Sequence, residues 1–249
     1  MERIFKHLII LLTAFFMLPA SAFAQDLPTI APTATYINAS GDEETIGTGD
    51  SYSGSAPLTV QFKANPEHTE GWTEYYEWRF YMEGDMDNPY MQRYEQDTEF
   101  TFNSAGAHKI VCYASFSNGS ETVEYTKEYW TEECSPIGIS IYDSKLEMPN
   151  GFSPNGDEFN PTYKPKSGYQ SIVEFHAYIF NRWGVKLYEW DDIDAEGWDG
   201  TYKGRPVPEG VYFCLVKAKG ADGRVFNIKR DVNLLRRKVT EETTTEPTE

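Results

Sequence analysis

Phe226-Asn227-Ile228-Lys229-Arg230-Asp231-Val232-Asn233-Leu234 places Phe226, Ile228, Val232 and Leu234 on one parity and Asn227, Lys229, Asp231 and Asn233 on the other. Side chains alternate across a pleated strand, so this stretch predicts a strand with one dry and one wet face. Working back along the chain, Val207-Pro208-Glu209-Gly210 turns into the apolar run Val211–Val216. Before it come two further turns, Gly197–Thr201 and Lys203-Gly204. Earlier still, Val173, Phe175, Ala177 and Ile179 alternate with Glu174, His176 and Tyr178, and Asn181–Gly184 turns into Val185–Tyr188. The same period governs the first half, in Leu58/Val60/Phe62, Tyr76/Trp78/Phe80, Phe100/Phe102 and His108–Ala114. Asn118-Gly119 is a hairpin-type turn. Between Glu83 and Asp97, Gly, Asp, Asn and Pro predict a long loop or a short irregular strand pair. Strands at short intervals, separated by Gly, Pro and Asn, predict an all-β chain built as sandwiches. Abundant aromatics (Tyr 17, Phe 15 and Trp 6 in 249 residues) agree, because aromatic side chains favour strands.

The net charge is −17 but unevenly spread. Gln25–Ser140 holds twenty Asp/Glu against five Lys/Arg, whereas Ile141–Arg236 holds fourteen against thirteen. That step predicts two modules, at 28–140 and 141–236, the second opening near Ile139–Tyr142. Acidity of this degree argues against nucleic acid or anionic lipid as partner, because both need clustered Lys/Arg. Residues 1–24 predict a cleaved signal peptide: Arg3 and Lys6, an apolar run Leu8–Leu18, Pro19, and Ala22-Phe23-Ala24 as the cleavage site. No later stretch is apolar long enough to predict a transmembrane segment. Residues 237–249 form a Thr/Glu-rich tail, predicted disordered because it is too polar to pack.

The three cysteines belong to a chain predicted to reach an oxidising compartment. Cys112 and Cys134 are candidates for a disulfide stapling the end of the first module, and Cys214 reads as a buried small apolar residue. Asp192, Asp194 and Glu196 stand at first, third and fifth places before Gly197, as in a calcium loop, but the twelfth place is Lys203 instead of a bidentate Glu. Asn155 and Asp157, with Asn160, form a second weak calcium candidate; Asx turns account for both loops without metal. The histidines lack metal-ligand spacing, and there is no G-x-S-x-G, phosphate loop or H-E-x-x-H, so no catalytic residue, enzyme activity or resident cofactor is expected. Tyr75 and Tyr81 have the parity opposite to Tyr76, Trp78 and Phe80, so they are candidate exposed rings for a glycan, or else aromatic cover for a sheet edge.

Gly54-Ser55-Ala56-Pro57-Leu58-Thr59-Val60-Gln61-Phe62, then Tyr76-x-Trp78-x-Phe80, Phe102, Gly106, the strand through Ile110 and Asn118-Gly119-Ser120 resemble the PKD family of immunoglobulin-like sandwiches over residues 30–140. The family's tight turn after the Phe is replaced here by Tyr81-Met82-Glu83-Gly84-Asp85. Five motifs in order carry a stronger resemblance in the second half: Pro149-Asn150-x-Phe152-Ser153-Pro154-Asn155-Gly156-Asp157, Phe180-Asn181-Arg182-Trp183-Gly184, Gly197-Trp198-Asp199-Gly200-Thr201, Pro208-x-Gly210-Val211-Tyr212-Phe213 and Val232-Asn233-Leu234-Leu235-Arg236. These resemble the gliding-motility-associated C-terminal domain, the type B sorting domain of the bacteroidete type IX secretion system. Here its acidic loop continues Asp157-Glu158-Phe159-Asn160-Pro161, with one glycine and one acid fewer than usual. The resemblance implies that Asn155, Gly156, Asp157, Trp183, Gly184, Trp198, Asp199 and Gly200 belong to a sorting motif. It implies outer-membrane secretion machinery as partner and the cell surface or exterior as destination. The expected function is then non-enzymatic: the second sandwich directs export or anchoring, and the first is a spacer or binds a glycan or protein. The alternatives are a carbohydrate-binding accessory protein and a structural part of the gliding or secretion apparatus.

Overall fold

The computed structural model describes residues 26–157 and 159–236. The predicted signal peptide and the predicted tail lie outside the described residues. The chain is all-β, in two units with separate apolar cores.

In the first unit, one antiparallel sheet runs in the order Glu43–Gly47, Thr33–Ile37, Leu58–Lys63, Asp97–Phe102. It faces a second sheet ordered Ser51–Gly54, Ile137–Ile141, Gly106–Ser117, Thr73–Met82, Met91–Arg93, with Thr122–Tyr125 sharing the edge of Gly106–Ser117. Leu58, Val60 and Phe62 are buried while Thr59, Gln61 and Lys63 are exposed, the alternation legible in the sequence. Trp78, Phe80, Phe62 and Phe102 meet between the sheets, with Phe62 and Phe80 edge-to-face at 5.4 Å, a favoured aromatic geometry.

Ile137–Ile141 corrects the expected boundary. The strand pairs with Gly106–Ile110 on one side and Ser51–Gly54 on the other, and its three isoleucines belong to the first core. The reason is that the expected boundary followed the charge step and this central strand carries no charge: its isoleucines alternate with Gly138 and Ser140 and are buried in the first core. After Thr122–Tyr125 the chain makes one helical turn, Tyr129–Glu133, which buries Trp130 and lets its indole N–H donate to Cys112 O at 3.0 Å.

The second unit has one regular sheet, ordered Gly151–Phe152, Val225–Leu234, Gly210–Gly220, Ile172–Phe180, Lys186–Trp190. Its other layer is irregular, holding a small hairpin (Thr201–Tyr202 with Arg205–Pro206) and the isolated bridges Lys145↔Gln170 and Tyr163↔Trp198. Pro149, Pro154, Pro161 and Pro165 explain the irregularity, since proline cannot donate to a strand ladder. Leu146, Met148, Tyr163 and Trp198 nevertheless reach the inner face and complete the core with Ile179, Val216, Val232 and Leu234.

The units meet at one end of the second sheet. Ala105 N–H donates to Ala221 O at 3.0 Å, and Ala56 N–H to Ser171 Oγ at 3.1 Å. Ser171 is buried with φ 49°, a left-handed backbone that a non-glycine residue adopts only under constraint. The connecting chain is clamped as well: Ser144 Oγ donates to Asp222 Oδ1 at 2.6 Å, and Asp222 Oδ1 also accepts Arg224 N–H at 3.0 Å. These bonds hold the Asp222 carboxyl below its ordinary value.

Candidate functional site

The motif residues gather at the opposite end of the second unit. Phe180 ends one strand, Gly210 begins the next and pairs with Leu234, and Leu234 pairs with Phe152. The loops at these ends carry four of the five motifs, and Gly197–Thr201 reaches the same end where Gly200 packs against Leu234 and Pro154.

Asn181 shapes the first of them. Its Oδ1 accepts the N–H groups of Trp183 and Val185, each at 3.0 Å, its own N–H donates to Val185 O, and its C=O accepts Gly184 N–H. Gly184 has φ 77°, which closes the turn without strain. The Trp183 ring is left 79% exposed, with the Arg182 guanidinium carbon 5.7 Å from its centroid.

Trp198 does the reverse. It is fully buried, its indole N–H donates to Thr201 O at 2.8 Å, and its backbone bridges Tyr163. Gly197 has φ 79°, and a Cβ there would lie 2.4 Å from Tyr163 O, so the close approach requires glycine. Asp199 Oδ1 accepts Thr201 N–H at 2.9 Å, and Gly200 lies against Leu234, Arg236 and Pro154. Arg236 ties the motifs together, its Nη2 donating to Gly200 O and Val207 O at 3.0 and 3.1 Å and its backbone N–H to Glu209 Oε1 at 2.7 Å. Within the motifs, Trp198, Asp199 and Gly200 hold the end together, and Trp183 projects from it. Val185, Leu187, Val207, Tyr212 and the Arg182-Trp183 turn line a cleft of about 230 Å³ beside that indole.

The calcium candidates are turn formers. Asp192 Oδ1 accepts Asp194 N–H at 2.9 Å, and Asp194 accepts the Tyr169 hydroxyl, whose pKa burial and this carboxylate push up to about 12. Glu196 lies instead beside Lys164 and Lys166 on the irregular layer. Asp157 Oδ2 accepts from Asn155 Nδ2 at 2.6 Å and its Oδ1 accepts Phe159 N–H, while Asn155 Oδ1 accepts Asp157 N–H. Gly156 has φ 82° in that turn. Among the described residues no three His, Cys, Asp or Glu side chains are grouped to hold a metal ion.

Two further expectations are corrected. The Cys112–Cys134 disulfide is not formed: all three cysteines are free. Cys112 points into the core opposite Trp78, where burial raises its thiol pKa, whereas Cys134 follows the helical turn and is part-exposed beside Tyr129. Tyr81 is buried, at 2% exposure, while Tyr75 is 51% exposed. Parity places both on the outer face, but Tyr81 is covered there by Arg79 and Tyr113, with the guanidinium 4.2 Å from the Tyr113 ring. Glu77, buried on that same face, binds Arg79 through both oxygens at 2.7 and 2.9 Å. Tyr94, which follows the three-residue strand Met91–Arg93, is 60% exposed, and its ring centroid is 6.4 Å from that of Tyr75. Cys214 is buried next to Tyr163, its thiol pKa pushed up to about 11 by burial, in line with its reading as a small apolar residue.

Among the described residues no helix is long and apolar enough to cross a membrane. No curated protein matches the chain. Solved structures similar to it include chicken CNTN1 FN1-FN3 domains, at 10% identity and a TM-score of 0.24, covering 79% of this chain and 76% of that one. Dimeric latent PorU from Porphyromonas gingivalis is another, at 11% identity and 0.22, covering 89% of this chain and 21% of that one. Residues 146–227, a span that includes the Asn181–Gly184 turn, Trp198 and the Pro208–Tyr212 motif, match the CHU_C Type IX secretion signal domain.

Proposed function

We propose that this is a non-enzymatic protein that the type IX route carries to the cell surface or the exterior. The second unit is its sorting signal, and the first unit is the binding or spacing module it delivers. The carrying observation is the family match over residues 146–227. The convergence of the motifs on one end supports it, since that end lies away from the junction and is open to a partner. The full chain, expressed in a bacteroidete with an intact type IX translocon, is expected outside the outer membrane. In a strain lacking the translocon channel it is expected to stay in the periplasm. Equal surface amounts in the two strains would defeat the reading.

One observation favours a more specific role for the first unit. Tyr75 and Tyr94 form an exposed aromatic pair on an acidic body, which suits a neutral glycan better than a polyanion. Binding of soluble glycan that disappears in Tyr75→Ala supports this role, and binding unchanged by the substitution removes it.

A further inference from the structure

We infer that the Arg182-Trp183 turn is the anchor by which the second unit docks on a protein of the export machinery, one that offers an apolar pocket for the indole with a carboxylate beside it for Arg182. This rests on the sorting role proposed above and adds the chemistry of its partner. Trp183 is more exposed than any other large apolar side chain among the described residues. The indole stands beside its own apolar cleft, so the surface presents a projecting ring next to a hollow lined by Val185, Leu187, Val207 and Tyr212. Val185, Val211 and Phe213 are each more than 40% exposed, and they extend the apolar surface from the cleft onto the outer face of the sheet. Single exposed apolar side chains are ordinary, but a contiguous patch marks an interaction site.

Rigidity is the second argument. The bonds around Asn181 fix the turn before any partner arrives, so docking loses little conformational freedom there. Charge is the third. In a chain of net charge −17, the cleft is lined by one cation, Arg182, and one carboxylate, Glu209, whose Oε1 already accepts the Arg236 N–H. An arginine set beside a projecting indole matches a carboxylate at the edge of an apolar pocket, and Trp, Tyr and Arg are the side chains that dominate protein interfaces. A lipid surface would also accept a Trp-Arg pair, but the cleft beside the ring provides a hollow for a partner's side chain, which a bilayer does not fill.

The test uses the full chain in the intact host, with the surface fraction read by protease added to whole cells. Trp183→Ala and Arg182→Glu are expected to lower that fraction by about tenfold or more. The melting temperature of the purified variants should not change, because both side chains project from the fold. Trp183→Phe and Arg182→Lys are expected to retain most of the surface fraction. If Trp183→Ala reaches the surface like the parent while the translocon-deficient strain still retains the parent, the anchor is wrong and the sorting role stands. If the parent reaches the surface without the translocon, both fall. Sedimentation of the parent with anionic vesicles that Trp183→Ala abolishes would overturn the protein partner in favour of a lipid one.

Discussion

His108 shows how much chemistry one buried side chain can carry. It is 3% exposed, with Nδ1 2.9 Å from the Tyr90 hydroxyl and Nε2 3.2 Å from Ser104 O. Burial holds its pKa below the ordinary value of 6.5, against the opposing pull of the Ser104 carbonyl. The folded state therefore favours the neutral ring, and the unfolded chain binds the proton more readily. Stability from this site is full above pH 6.5 and is lost as pH falls towards the folded value. His108→Phe, which keeps a ring against Phe102, is expected to flatten the melting temperature between pH 7 and 5. Gly197→Ala is expected to cost about 2–4 kcal/mol, from a left-handed φ and a backbone clash together, measurable by urea denaturation. The thiols should separate cleanly: a maleimide is expected to label Cys134 in the native protein, and Cys112 and Cys214 only after unfolding. At this scale parity read the sequence well where one face of a sheet is dry, as in Leu58–Lys63. It failed at Tyr81 because the outer face is itself covered by Arg79 and Tyr113, and such cover comes from neighbouring strands that local sequence does not show.

Among elements, the regular strands were legible and the irregular layer was not. Val225–Leu234 and Leu58–Lys63 announce themselves by period, and Ile137–Ile141 shows it too, but that strand carries no charged residue by which a charge step could assign it to either unit. The layer holding Tyr163 and Trp198 has isolated bridges and one two-residue hairpin in place of long strands, so turns such as Gly197–Thr201 and Lys203-Gly204 were its only sign in the sequence. The Asn181 turn is a self-contained element. Asn181→Ala removes the acceptor of two N–H groups and is expected to cost about 1–2 kcal/mol, seen as a lower melting temperature and faster hydrogen exchange at Val185. The candidate site divides along the same line. Its scaffold residues were recoverable as motifs, but their roles were not, because Trp183 and Trp198 look alike in sequence and one is 79% exposed while the other is fully buried.

Across the whole molecule, the hydrogen bonds at Ser171 and Ala221 join the two units, and Asp222 clamps the chain that connects them. Asp222→Ala removes the acceptor that grips Ser144 and Arg224, and calorimetry is expected to resolve two transitions where the parent gives one. Because the Asp222 carboxyl is held below its ordinary value, the clamp is present above the usual carboxylate range and is lost as pH falls below it. The charge step near residue 140 falls inside the Ile137–Ile141 strand of the first unit, and the hydrogen-bonded junction pairs Ala56 with Ser171 and Ala105 with Ala221, partners too far apart in sequence for any pattern to reveal. That junction lies at the pole of the second unit opposite Trp183, so the two units are arranged in series. A docked chain would hold its first unit outward at a fixed angle, like a flag on a short pole. Whatever the Tyr75 face meets, it would meet it at a set distance from the place of docking.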